Sequence, residues 1–311
     1  MISVIVPCRN RFKQLCRCID SINTAINYAK QQVPSIVIEV IIVNDHSEYG
    51  FTSTIKKKYS NCIVIDSDGF GPGCARNLGV ERSKGDYLFF TDSDCIVDKA
   101  WIYNGYMVFS QIHPIVIQGI PWLFQKDDNP VLGKNEEELY EIMFTKYLSG
   151  TKTIMTDSRN LLFHKSITQY IGREIFSEKI DKATAESRVF GEKCNSLGLE
   201  VFFSYDIKVF HEDPTDMLYI CHQKYRHGSG RVLIWSKKQD FEYISKRYFC
   251  IPISKGLPID YVLPAHTAFL LGFYNNIGDV DERNKFINFL DSVYEAYGRN
   301  LNEYVELAGY L

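Results

Sequence analysis

Short β-branched runs alternate with helical segments over the first 94 residues, and this order limits the folds open to the chain. Four runs have the character of buried strands, namely ISVIVP, IVIEVIIVND, CIVIDSD and DYLFFTDSD. The segments between them, such as RFKQLCRCIDSINTAINYAK, place apolar residues at helical spacing. A β-α-β-α-β-α-β order predicts an α/β fold: a Rossmann-like, mostly parallel central sheet with helices on both faces.

The order is less regular beyond residue 100. We expect strands in IVIQGIPWLF and EVFFSYDIKVFHED, and helices in NEEELYEIMFTKYLSG and KATAESRVFGEKCNSLG. The remainder is mostly helical in pattern, and no low-complexity linker interrupts it. We therefore expect a main domain over residues 1–235 and a helical C-terminal extension over 236–311.

Composition excludes several classes of protein. A net charge of −3 over 311 residues argues against general nucleic-acid binding. The opening MISVIVPCRN lacks the features of a signal peptide, and no apolar run is long enough to span a bilayer. Nine cysteines without a CxxC pair indicate free thiols in a reducing compartment. The expectation is a soluble, cytoplasmic protein.

The glycine-rich stretch DSDGFGPGCARNLG is similar in composition to a dinucleotide-binding turn, but its position is wrong for one. That fingerprint belongs to the first βα turn, which here is PCRNR and has no glycine. A nucleotidyltransferase is disfavoured for a related reason, since we would expect a glycine-rich loop bearing Arg or Lys directly after the first strand.

Four motifs together resemble a known family. SVIVPCRNR, IIVNDHS, GPGCARNLGVERSKGDYLFFTDSDC and YDIKVFH have the order and spacing of family 2 glycosyltransferases with the GT-A fold, over roughly residues 1–235. The resemblance implies a metal-dependent enzyme that moves a sugar from a nucleotide-diphosphate donor, expected to be a UDP-sugar. The acceptor would be a glycan, lipid-linked or peptide group, such as a precursor of a surface polysaccharide or glycoconjugate.

The aspartates of TDSD are the candidate metal site. Two carboxylates spaced i, i+2 at a strand end can hold a divalent cation, which stabilises a departing diphosphate as a Lewis acid. By the family pattern Asp94 is the direct ligand, Asp92 lies near the ribose or the metal, and His211 is a further ligand. An imidazole among carboxylates suits Mn²⁺ better than Mg²⁺.

The resemblance also implies a set of donor-binding residues. Asp45 would accept a hydrogen bond from a uracil-type N3–H, and it follows Asn44 where the family usually has a second aspartate. Arg9 would stack on the base by its flat guanidinium, and Arg76 would face the diphosphate. The full nucleotide-sugar set is Pro7, Arg9, Asp45, Gly71, Gly73, Arg76, Asp92 and Ser93.

The candidate general base is Glu186. An inverting transferase needs a base to take the acceptor's proton, and the family usually supplies the aspartate of a Glu-Asp pair. In this chain the two corresponding positions are occupied by Glu186 and Ser187. Three readings stay open: Glu186 is the base, the reaction needs none (a thiol-like acceptor or a retaining enzyme), or the pocket is inactive. The last makes the chain a nucleotide-sugar-binding protein.

The segment HQKYRHGSGR resembles the family's Q-x-x-R-W motif, with Gln223 and Arg226 matched as acceptor or diphosphate residues. The missing tryptophan favours a non-processive enzyme. Basic and aromatic residues mixed over 224–247 would suit either a solvated helix face or a peripheral contact with the inner membrane face. The C-terminal extension is a candidate for the acceptor site or a homodimer contact.

Overall fold

The computed structural model describes residues 1–124, 149–153, 156–178, 186–212, 217–231, 259–278 and 280–296. The chain divides into two compact units. Described residues up to 212 belong to the first unit, and those from 217 onward belong to the second. The division after Asp213 precedes the expected boundary at 235.

The first unit is built on a mixed sheet with helices on both sides. Its strands are β1 (Ile2–Cys8), β2 (Ile38–Asn44), β3 (Ile63–Asp66), β4 (Tyr87–Phe90), β5 (Cys95–Val97), β6 (Val116–Phe124), β7 (Lys152–Thr153), β8 (Leu161–His164) and β9 (Val201–Glu212). Its α-helices are α1 (Phe12–Gln32), α2 (Phe51–Lys58), α3 (Pro72–Arg82), α4 (Trp101–Ile112), α5 (Thr168–Ile171) and α6 (Glu186–Ser196). Short 3₁₀ turns at Ser158–Asn160 and Lys165–Ile167 flank β8.

The strand order across the sheet is β3-β2-β1-β4-β8-β6-β9-β5, and β7 pairs with β9. The strands β1 to β4 are parallel, and so are β6 and β9, whereas β8 runs antiparallel between the two groups. The carboxyl ends of β1, β2, β3 and β4 therefore meet at one edge. In an open α/β sheet this is the edge at which ligands bind.

Apolar residues on alternate positions of β1 pack against two separate helical layers. Val4 and Val6 belong to a cluster with residues of α1, α2 and α4, whereas Ile5 belongs to a cluster with residues of α3 and α6. This two-faced burial explains why the strands of the sequence are almost continuously apolar. The predicted α/β class, with helices on both faces of a mostly parallel sheet, is confirmed.

The later elements agree in part with the sequence pattern. Strands form in IVIQGIPWLF and EVFFSYDIKVFHED as expected, and the helix expected in KATAESRVFGEKCNSLG is described from Glu186. The helix expected in NEEELYEIMFTKYLSG lies almost wholly outside the described residues.

The second unit contains three helices among its described residues: α7 (Met217–Arg231), α8 (Ile259–Asn276) and α9 (Val280–Ala296). Two glycines let α7 and α8 pack backbone to backbone. A Cβ on Gly228 would lie 1.8 Å from the carbonyl oxygen of Phe269, and one on Gly272 would lie 2.0 Å from that of Tyr225. Helix α7 therefore packs with α8, and both belong to the second unit.

Within the described residues, the helices fall short of the combined length and apolar content that crossing a membrane requires.

Gly79 tests the contact between α3 and β1. Replacing a helical glycine by alanine ordinarily adds up to about 1 kcal/mol of stability. Here the new Cβ would lie 2.4 Å from Cγ2 of the fully buried Ile5, and overpacking of this kind costs about 1–3 kcal/mol. We expect Gly79→Ala to lower the free energy of unfolding by a net of about 1–2 kcal/mol in urea titrations. The exposed Glu81→Ala on the same helix is the control, and equal or higher stability of Gly79→Ala would contradict the packing argument.

Candidate active site

The TDSD turn follows the end of β4, and hydrogen bonds to its backbone fix its position. The carbonyl oxygen of Asp92 accepts hydrogen bonds from the backbone N–H of Cys95, at 3.0 Å, and from the thiol of Cys18 on α1, at 3.5 Å. Thr91 and Ser93 are buried. These contacts hold the backbone of the turn in place and leave the carboxylates of Asp92 and Asp94 to other partners.

Asp94 lies beside His211 because of the pairing between β5 and β9. Cys95 stands opposite His211 in that antiparallel register. The Nε2 atom of His211 is 3.5 Å from Oδ2 of Asp94, and the guanidinium of Arg11 forms an ion pair with the same carboxylate oxygen. Both Asp94 and His211 are largely buried, with side chains 14% and 12% exposed. A carboxylate and an imidazole are thus brought together from distant parts of the chain.

His211 is held in its neutral form. Burial lowers the pKa of its imidazole to about 4, with the cations of Arg159 and Arg11 adding to the shift and the carboxylates of Asp92 and Asp157 opposing it. Its Nδ1 atom is buried and has no hydrogen-bond partner among the described residues. A neutral imidazole next to a carboxylate is the state in which histidine binds a metal ion.

Arg76 bridges two carboxylates that are far apart in sequence. Its Nη2 donates to Oδ1 of Asp92 at 2.7 Å, and its Nη1 donates to Oε1 of Glu186 at 2.8 Å. The side chain of Arg76 is 2% exposed, and its guanidinium carbon lies 5.5 Å from the ring centroid of Phe176. Arg76 is therefore a buried ion-pair residue rather than one on the surface.

The ion pairs that Arg76 makes determine the charge states of Arg76 and Asp92. Burial alone would raise the pKa of Asp92, but the adjacent Arg76 guanidinium outweighs it and holds that pKa below its usual range. Burial likewise lowers the pKa of Arg76, and the carboxylates of Asp92 and Glu186 more than reverse this. The guanidinium and the Asp92 carboxylate are accordingly both charged at neutral pH.

A second cluster surrounds Asp45 at the end of β2. The backbone N–H of Gly71 donates to Oδ1 of Asp45 at 3.2 Å, and Nδ1 of His46 lies 3.3 Å from the same oxygen. Gly71 has a φ of 93°, a left-handed conformation that favours glycine at this turn. The glycine-rich loop is thereby tied to the strand end that carries Asp45.

An aromatic stack lies over this cluster. The rings of His46 and Phe70 are stacked, with centroids 3.9 Å apart and an interplanar angle of 12°. The guanidinium carbon of Arg9 lies 6.0 Å from the Phe70 centroid, and Phe70 is 55% exposed. Arg9 thus contacts an aromatic ring of the protein itself.

The side-chain amide of Asn44 is held by hydrogen bonds within the protein. Its Nδ2 donates to Oδ1 of Asp66 at 2.8 Å and to Thr52, while its Oδ1 accepts from the backbone N–H of Ser47. Hydrogen bonds from Thr52 and Asn44 hold the pKa of Asp66 below its usual range. An aspartate at position 44 would face Asp66 with a like charge, so the amide fits the local chemistry of this chain.

The other expected donor-site residues are placed as follows. Pro7 is buried in β1 and pairs with Val43 of β2, and Ser93 is buried within the TDSD turn. A Cβ on Gly73 would lie 2.3 Å from the carbonyl oxygen of Ser177. The small size of Gly73 is therefore required by the approach of another backbone segment.

Gln223 and Arg226 lie on α7 in the second unit, whereas the residues above belong to the first. The Nε atom of Arg226 is buried without a hydrogen-bond partner among the described residues. The basic and aromatic stretch over 224–247 falls mostly outside the described part of the chain.

Sequence reasoning missed three charged residues of this site: Arg11, Asp157 and Arg159. Asp157 caps the 3₁₀ turn before β8, and both of its oxygens accept from the Arg159 guanidinium, at 3.0 and 2.6 Å. Arg11 could have been noticed, because it follows the end of β1 within the PCRNR motif. Asp157 and Arg159 precede a strand whose position in the sheet cannot be read from local pattern.

Comparison with known proteins identifies relatives of the chain. The family model described as glycosyl transferase family 2 matches residues 3–171. Glycosyltransferase AglE of Haloferax volcanii is 30% identical over 242 residues, which cover 75% of this chain and 74% of AglE. A poly(ribitol-phosphate) beta-glucosyltransferase of Bacillus spizizenii is 28% identical over 143 residues, or 42% of this chain and 22% of that protein. The match thus spans about a fifth of that longer protein.

Solved structures show the same fold. Residues 1–349 of Staphylococcus aureus TarS, in complex with UDP-GlcNAc, match 99% of this chain and 90% of that one, with a TM-score of 0.57 at 15% identity. A mannosyltransferase from Pyrobaculum calidifontis, in complex with GDP-Man and Mn²⁺, matches 94% of this chain and 79% of that one, with a TM-score of 0.53 at 14% identity. The family model covers more than half of the chain, and AglE aligns over three quarters of it; the chain belongs to glycosyl transferase family 2.

Proposed function

We propose that the protein transfers a sugar from a nucleotide-diphosphate donor, a UDP-sugar, to the hydroxyl of a glycan, lipid-linked or peptide acceptor. The observation that carries the proposal is the convergence at one sheet edge of Asp92, Asp94, His211 and Glu186, beside a second cluster around Asp45. Family membership supports the reaction type, and the neighbour structures that hold UDP-GlcNAc and GDP-Man support a nucleotide-sugar donor.

A divalent cation, Mn²⁺ by preference, fits the chemistry of the site. Asp94 Oδ2 and His211 Nε2 are 3.5 Å apart, so one hard or borderline ion could bind both atoms. No group of three or more His, Cys, Asp or Glu side chains in the described residues is arranged to hold an ion. Further ligands would therefore come from the donor diphosphate and from water. When bound, the ion would stabilise the charge of the departing diphosphate.

The protein's own residues have distinct tasks in this proposal. Asp45, Gly71 and Arg9 hold the nucleoside, and Asp92 lies next to the ribose. Arg11 and Arg159 supply positive charge around the diphosphate. Glu186, at the first turn of α6, takes the acceptor's proton. Because Arg11 pairs with Asp94 in the structure, it must move from that carboxylate when a cation binds.

Location and partners extend the same proposal. Among the described residues, Cys8, Cys16, Cys18, Cys62, Cys74, Cys95 and Cys194 are free thiols, which supports a cytoplasmic setting. A peripheral membrane contact, a homodimer and an acceptor role for Gln223 and Arg226 stay predictions.

A nucleotide-sugar panel with Mn²⁺ tests the donor. Thermal shift and release of free nucleoside diphosphate are followed together, for the wild type and for Asp94→Asn. We expect one UDP-sugar to stabilise the wild type and to be slowly hydrolysed, and Asp94→Asn to lose both effects because its amide cannot replace the carboxylate ligand. The exposed Asp86→Asn is the matched control and should behave as wild type.

Stabilisation by a donor without any turnover would favour a nucleotide-sugar-binding protein, a reading that Ser187 keeps open. No response to any nucleotide sugar would contradict the proposed function. Unchanged turnover by Asp94→Asn would contradict the metal site alone.

Glu186→Gln tests the general base. The amide keeps the shape of the side chain but cannot accept a proton, so we expect kcat to fall by about 10²–10⁴-fold with a small change in the donor KM. Glu192→Gln, an exposed position on the same helix, is the control. Near-normal kinetics for Glu186→Gln would remove it from the mechanism.

His211 gives a pH dependence that can be measured without metal. Its folded pKa of about 4 lies below the ordinary value near 6.5, so the unfolded chain binds more protons between these values. The stability it contributes is present above about pH 6.5 and is lost as the pH falls towards 4, by on the order of 3 kcal/mol. In chelator-treated samples, His211→Gln should flatten the decline that wild type shows over this range. The exposed His222→Gln should not, and equal slopes for all three proteins would contradict the assignment.

A further inference from the structure

Arg76 connects the two halves of the proposed reaction. It lies on α3, whereas its partners lie on the TDSD turn and on the first turn of α6. Asp92 belongs to the donor side of the site, and Glu186 is the proposed acceptor-side base. One rigid guanidinium therefore makes a direct hydrogen bond to each side, at 2.7 and 2.8 Å.

The geometry favours an indirect role for this arginine. Its side chain is 2% exposed, so it lies beneath the surface that a donor would contact. The stack on Phe176 and the two charge-assisted bonds hold its planar fork in a single orientation. A lysine could satisfy only one carboxylate at a time, because its ammonium is a point charge on a flexible stem.

A fixed position of Glu186 matters for its proposed role as the general base. A general base acts only when its oxygen is held within hydrogen-bond reach of the proton that it abstracts. Glu186 is buried at a helix N-terminus, and Arg76 fixes its Oε1 atom. The same guanidinium also donates to Asp92, so the positions of Asp92 and Glu186 are linked through Arg76.

We propose that Arg76 is a positioning residue that couples the donor-side Asp92 to Glu186 and holds Glu186 in place for the transfer step. The inference rests on the proposed function, because it assumes that Glu186 is the base. It differs from a direct contact between Arg76 and the diphosphate, which the sequence resemblance implied.

A double-mutant cycle separates these two roles. The variants are Arg76→Met, Glu186→Gln and their combination, with kcat and donor KM measured for each. If Arg76 acts through Glu186, Arg76→Met lowers kcat by about 10²-fold or more, and the double variant stays within about 3-fold of Glu186→Gln alone. Arg82→Met, an exposed position on the same helix, is the control.

The split between kcat and donor KM, together with rescue by a conservative variant, supplies a readout that a purely structural role would not change. In Arg76→Met the donor KM should stay within about 3-fold of the wild-type value while kcat falls. Arg76→Lys should recover part of kcat. The cycle is repeated with Arg76→Lys. The coupling between Arg76 and Glu186 can then still be measured if loss of the buried cation prevents Arg76→Met from folding.

Losses that multiply in the double variant would overturn the inference, and so would an increase in donor KM with kcat unchanged. Either result would instead assign Arg76 to the donor diphosphate. Failure of the wild type to turn over any nucleotide sugar would count against the proposed function, which the same assay detects before any variant is made.

Discussion

The ion pairs of Arg76 are the interaction on which the arrangement of the site depends. A guanidinium that is almost fully buried has to be matched by negative charge, because an uncompensated cation in a protein interior is costly. Asp92 and Glu186 supply that charge from two segments about a hundred residues apart. Because both carboxylates pair with Arg76, the TDSD turn and the start of α6 are held together beneath the surface of the sheet edge.

The remaining charges of the site are organised around this bridge. Asp94 pairs with Arg11 and lies near His211, and Asp157 pairs with Arg159. Each of these carboxylates is therefore paired with an arginine cation. In the proposed function, a diphosphate and a divalent ion would enter together by exchanging partners with these charges, so that neither enters as an isolated charge.

The cluster around Asp45, at the end of β2, is built from different contacts. Asp45 is held by a backbone N–H of the glycine loop, and the neighbouring Asn44 donates to Asp66. The exposed Phe70 ring stacks on His46 rather than packing in the core. Hydrogen bonds from backbone N–H and amide groups to carboxylates, together with an exposed ring face, make up this part of the edge. In the proposed function, the ring face is suited to a planar base.

The sequence by itself determined the α/β class and the alternation of strands and helices over the first 94 residues, because strand and helix periods are local properties of the chain. It also indicated Asp92, Asp94, Asp45 and Glu186 as candidates, through the resemblance of their motifs to those of family 2 glycosyltransferases. Only the tertiary structure decided that Arg76 joins two of these carboxylates, and that α7 packs closely against α8 through Gly228 and Gly272. It also brought Arg159 to the site, through the place of β8 between β4 and β6. Contacts across a hundred residues depend on strand order and on the burial of charge, and neither is written in the local pattern of residues.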